Sequence, residues 1–165
     1  MAATDIHEAL RMIFAELTGG ATEMGSGHIL NSGDVGLLRS LDTLTAGGAS
    51  EAVNGGATIA AHAQHLRYGL SLMNQWAVEG GNPLANPRWD EAWAVSTVDE
   101  RQWLAIRNGL TDEAHRWLDT LGSPRTLTAS ELTDMIGSIA HVAYHLGAIR
   151  QIARSARGPT EGTFT

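Results

Sequence analysis

Four stretches of the chain carry apolar residues at the i, i+3, i+4 spacing of an amphipathic helix, and no stretch alternates convincingly as a half-buried strand does. The first, Thr4 to Leu17, gathers Ile6, Leu10, Ile13, Phe14 and Leu17 on one face, with Asp5 and Glu8 as a cap pair and Thr18-Gly19-Gly20 as its end. The second runs from about Thr58 to Val78. Its Ile59, Leu66, Leu70 and Met73 share a face with His62, while His65 sits at the edge near Leu72 and Trp76. The third opens on Thr97-Val-Asp-Glu100, a capping-box pattern, and turns Trp103, Ile106, Leu110, Ala114 and Trp117 inward before Gly122-Ser-Pro124 closes it. The fourth opens on a second capping box, Thr128-Ala-Ser-Glu131, and runs to about Arg154, ahead of a frayed polar tail over 158–165.

The connections are as informative as the helices. Residues 19 to 56 hold ten of the nineteen glycines, so this segment reads as loop, interrupted by a short helix in which Leu37, Leu38, Leu41 and Leu44 follow a cap at Asp34. Such a long connection wraps a bundle rather than separating two domains. From Gly80 to Ser96 the chain contains Pro83, Pro87, Trp89 and Trp93, too much punctuation for a helix and too aromatic for a solvated linker. It reads as a cover, with Trp89 and Trp93 either lining a ligand entrance or plugging the end of the bundle. The pattern predicts an all-α single domain over 1–165, a four-helix bundle whose first connection is a Gly-rich crossover carrying a short extra helix and whose shorter ones join antiparallel neighbours.

Composition narrows the chemistry. The 165 residues include no cysteine, which excludes disulfides, thiolate ligands and a cysteine nucleophile, and leaves His and carboxylates as metal ligands. There is no lysine, so Schiff-base chemistry is excluded. The net charge is −7 and the eleven arginines form no basic run, which argues against a nucleic-acid surface. No apolar run reaches the ~18 residues of a membrane span, and the N-terminus lacks a basic region followed by an apolar one. The expectation is a soluble, cytoplasmic protein.

The candidate chemistry lies in the histidines. In the fourth helix His141 and His145 are one turn apart, and with Ile139 at zero the apolar Leu132, Met135, Val142, Leu146 and Ile149 fall within about 80 degrees of it. Asp134, Ser138, His141 and His145 form the adjoining stripe. An isolated H-x3-H is more often a pair of ordinary boundary histidines than a ligand pair. The second helix, however, carries a second histidine cluster, and inward side chains of facing helices are where bundle sites are built, so His65 can converge with His141 and His145 on one metal ion. Three imidazoles leave a coordination position open, the signature of a catalytic rather than a structural site. Asp134 reads as an acid/base group, a hydrogen-bonding neighbour of the ligands or simply a solvated first-turn acid. His7, His28 and His115 read as surface or cap residues. Tyr144 and Arg150 read as dimer-packing or solvated residues.

Two stretches carry a resemblance. Thr58-Ile-Ala-Ala-His-Ala-Gln-His65-Leu and His141-Val-Ala-Tyr-His145-Leu-Gly-Ala-Ile-Arg-Gln resemble the signature stretches of the DinB/YfiT-like superfamily, helical-bundle proteins often called metal-dependent hydrolases. The resemblance implies a bacterial protein that holds zinc or nickel on His65, seven residues after Thr58, and on His141 and His145. His62 is then a neighbour of the site. It also implies a small-molecule substrate, a hydrolase or low-molecular-weight-thiol S-transferase reaction and a homodimer, although the family is functionally mixed. Many members have Gln three residues after the last ligand, where this chain has Ala148.

Overall fold

The computed structural model describes residues 3–21, 27–82, 84–156 and 158–159. Pro83, and the expected frayed tail over 160–165, lie outside them. Among the described residues the chain is all-helical, with α1 (Ala3–Gly19), α2 (Gly36–Asp42), α3 (Ala46–Ala49), α4 (Ile59–Glu79), α5 (Trp89–Trp93), α6 (Glu100–Gly122) and α7 (Ala129–Ile152), then a 3-10 turn at Arg154–Ala156. No described helix is long and apolar enough to cross a membrane.

The four long helices share one core. α4 packs on α6 and α7, and α1 packs on the same two. The inward residues are those the periodicity selects: Phe14 and Leu17 on α1, Ile59 and Leu66 on α4, Trp103, Leu110 and Trp117 on α6, Met135, Val142 and Ile149 on α7 are all essentially inaccessible. Both buried indoles satisfy their N–H, Trp103 by donating to the Leu44 carbonyl at 2.8 Å and Trp117 to Ser138 Oγ at 2.9 Å. That second bond is how α6 meets α7. Although only a short turn links them, these two are not among the closely packed pairs, so this connection does not join packed neighbours as expected.

Helix starts follow local chemistry. Thr58 Oγ1 accepts the Ala61 N–H at 3.2 Å, and Thr128 with Glu131 forms the expected capping box. At α6 the box is Asp99 with Gln102, not Thr97 with Glu100, because the Asp99 carboxylate accepts the Gln102 N–H at 2.7 Å while Gln102 returns the bond. Glu100 is diverted to the Ala46 N–H at 3.0 Å, which ties the crossover to α6. α1 begins ahead of the expected cap pair, with Asp5 inside its first turn, and Glu8 pairs with Arg11.

The Gly-rich crossover is held by charge. Glu16 accepts backbone N–H groups from His28, Ile29 and Leu30 at 2.9, 2.8 and 2.6 Å, and the three donors keep its carboxyl below its ordinary pKa against the opposing effect of burial. Asp34, the predicted cap of α2, accepts the Gly36 N–H at 2.9 Å and also Arg150 at 2.6 Å. Arg150 therefore faces inward to a buried carboxylate instead of a solvated or dimer face. The crossover carries two short helices rather than one, since Thr45 Oγ1 accepts the Gly48 N–H and starts α3. His7 is likewise no surface residue. It is 1 % exposed, its Nδ1–H donates to the Leu121 carbonyl at 3.0 Å, and its Nε2 accepts the Arg125 N–H at 3.1 Å, latching α1 to the turn between α6 and α7.

Candidate metal centre

Two elements carry the histidines. On α4, His62 and His65 are three residues apart, and on α7, His141 and His145 are four apart, so each pair projects toward the same side of its helix. The packing of α4 on α7 brings the pairs together. His62, His65 and His145 are buried, and His141 is half-buried.

Three of the four point the same ring atom at one another. His141 Nε2 lies 3.0 Å from His65 Nε2 and 2.9 Å from His145 Nε2, and the three ligand atoms fall within 4.8 Å of one another. Each Nε2 offers either one proton or one lone pair, so at most one of these contacts is a full hydrogen bond, whereas a cation between the three atoms would use every lone pair. Ligands at 2.0–2.1 Å around a tetrahedral ion are separated by about 3.3 Å, close to the observed spacing. His65, His141 and His145 thus form a group that can hold one divalent ion.

Electrostatics favours the ligating form. Burial lowers the pKa of all four imidazoles, and the neighbouring histidines add to it, taking His65 to about 4 and His145 to about 3. At neutral pH the rings are uncharged and their lone pairs free.

What stands behind the triad is unusual. A metal-bound histidine ordinarily donates its second N–H to a carboxylate, a carbonyl or water. Here His145 Nδ1 meets His62 Nδ1 at 2.8 Å, and His65 Nδ1 is buried without a hydrogen-bond partner. Two tryptophans enclose the latter ring: Trp93 stacks on it at 4.2 Å between centroids and 23°, and Trp89 lies at 5.0 Å. Trp93 also sets its edge on His62 at 5.3 Å. Both indoles belong to α5, where punctuation suggested a loop. Asp90 and Glu91 stabilise the first turn of that short helix, and Tyr68 Oη accepts the Arg88 N–H at 2.9 Å to seat it on α4.

The remaining candidates fall around this centre. Trp89 lines a cavity of about 570 Å³ whose wall includes His65 and His141, so the entrance reading fits Trp89, while Trp93 packs on the imidazoles themselves. Asp134 lines the same cavity but, among the described residues, hydrogen-bonds to no imidazole. Tyr144 is 71 % exposed, and its ring edge touches His145 at 5.1 Å. His28 and His115 are exposed, as expected. His62 is the residue whose role sequence reasoning left open. Its position on the apolar face one turn before His65 was the available signal. Comparison of the chain with models of known families, with curated proteins and with solved structures gave no match.

Proposed function

We propose that the chain is a DinB/YfiT-like four-helix-bundle protein that holds one zinc or nickel ion on His65, His141 and His145 and acts as a metal-dependent hydrolase or low-molecular-weight-thiol S-transferase. The observation that carries the metal part is the convergence of three Nε2 atoms, contributed by two helices, in neutral rings. When bound, the ion supplies Lewis acidity toward a water, thiol or carbonyl group.

The residues of the chain divide the remaining work. His65 and His141 belong to the cavity wall, so a group held between them adjoins the space a small molecule enters. Trp93 and Trp89 shield His65 from water. His62 faces the Nδ1 of His145 and sets which nitrogen of that ring carries the proton. Among the described residues no carboxylate stands behind the ligands, so they would be less basic than usual and would hold an ion less tightly.

A second reading, a binding protein that holds metal and ligand without turnover, is favoured because, among the described residues, no carboxylate or hydroxyl hydrogen-bonds to the triad. The Ser138 hydroxyl donates to the Met135 carbonyl at 2.7 Å and accepts from Trp117, so it is not free for proton transfer.

Elemental analysis of untagged protein tests the metal, with His65→Ala, His141→Ala and His145→Ala beside exposed His115→Ala as the control. About one equivalent of zinc or nickel, lost in the first three and kept in the fourth, is the expected result. Metal retained by the triad variants sinks the assignment. Turnover of ester, amide or thiol substrates by the loaded protein then separates enzyme from binder.

A further inference from the structure

The cavity beside the histidines has a chemical polarity of its own. His65 and His141 stand on its wall, its body is apolar, with Leu70, Met73 and Trp89, and Asp134 also borders it. An adjoining cavity of about 510 Å³ is bordered by Asp134 again and by Glu131. No arginine is among the described residues lining either one. No guanidinium therefore competes there for the two carboxylates.

The two polar ends are on one helix. Asp134 and His141 are seven residues apart on α7, two turns along one face, or about 10 Å of rise. Gly69 leaves the space between His141 and Trp89 open. A methyl group at that position sits 3.8 Å from Trp89 Cη2 and 3.9 Å from His141 Nδ1, in ordinary contact with both. With a cation held by its Nε2, His141 would carry its proton on Nδ1, a donor on this side that meets no acceptor among the described residues.

We propose that this cavity takes an elongated, largely apolar small molecule with a cationic amine at one end and a hydrogen-bond acceptor at the other. The amine lodges at Asp134, the acceptor beside His141, and a carboxylate at the Asp134 end is disfavoured. The inference rests on the metal-site reading only in making the acceptor end the reacting one. Within that reading it selects amine-bearing amides, esters or thiols over anionic ones.

Three N-benzylhexanamides, whose chains end in an ammonium, a methyl or a carboxylate group, test the assignment by calorimetric titration into the full chain, zinc-free and zinc-loaded. On zinc-free protein binding is expected to be tightest for the ammonium compound, by about twofold to fivefold over the methyl compound, and weakest for the carboxylate. Asp134→Asn should erase the ammonium advantage and leave the methyl compound unchanged; because Asp134 is an exposed helix residue, the variant should fold. On zinc-free protein, equal or tighter binding of the carboxylate, an ammonium advantage that survives Asp134→Asn, or no binding by any of the three overturns the proposal. The order seen on zinc-free protein that takes up no metal leaves the cavity assignment standing and defeats the metal reading; zinc uptake with the order absent does the reverse.

Discussion

His62 and His145, 83 residues apart in the chain, meet through their Nδ1 atoms at 2.8 Å. Only one of the two nitrogens carries a proton in such a contact. Since His145 turns its Nε2 toward His141, ligation there requires the proton on its own Nδ1, and His62 must accept it. His62 is thus a positioning residue for a ligand rather than a ligand itself.

Replacing it should weaken metal binding without abolishing it. His62→Ala is expected to lower zinc affinity by about tenfold to a hundredfold, and His62→Gln, whose carbonyl oxygen can accept the same proton, to restore part of the loss. Competition titration with a chromophoric chelator measures both. Unchanged affinity in His62→Ala shows that the contact does not orient the ligand.

The buried imidazoles make stability depend on pH in a definite direction. Burial above all, with the neighbouring histidines, holds His65 at about 4 and His145 at about 3 in the folded state, below the ordinary imidazole value of 6.5. Between these limits the unfolded chain binds more protons than the folded one, so their contribution is complete above the unfolded value and is lost as pH falls through this window. Urea midpoints of metal-free protein should fall steadily from pH 7 to pH 4. In His65→Phe the decline should be shallower, and an equal slope speaks against neutral burial of this ring.

Trp93 reports on the centre. Its ring stacks on His65 at 4.2 Å, nearer than the 5.0 Å of Trp89. Nickel bound at the triad should quench tryptophan emission, and Trp93→Phe should remove the largest share of that quenching among the five single Trp→Phe variants. Trp93→Ala should also cost about 1 kcal/mol of stability through the lost aromatic contact. Quenching carried instead by Trp103 or Trp117 places the ion elsewhere.

Gly36 is required by the backbone. Its φ of 72° lies in the left-handed region, and a methyl group there meets the Gly20 nitrogen at 2.5 Å. Gly20 has a φ of 104°, and its own added methyl meets the Asp34 carbonyl oxygen at 2.5 Å. The two glycines let the crossover lie backbone against backbone on the end of α1. Gly36→Ala should cost at least about 1–2 kcal/mol in thermal or denaturant unfolding, whereas Gly69→Ala, with only ordinary contacts and a helical backbone, should be neutral or stabilising.

Much of this was legible along the chain. The apolar faces of the long helices, the Thr128 cap and the one-turn spacing of His141 and His145 follow from interactions within a few residues, which a sequence displays directly. Other features depend on what happens to lie opposite. His7 finds its partners in backbone groups of Leu121 and Arg125, Arg150 finds Asp34, and Glu100 leaves its own helix for Ala46. The sequence by itself determined which side chains line each helix and that two histidine clusters face inward. Only the tertiary structure decided that α4 meets α7 at a height where His62 backs His145 while His65 joins the triad, and that α5 closes over them. Helical period is a property of local hydrogen bonding, whereas the offset between two helices is set by the packing of every side chain in the core.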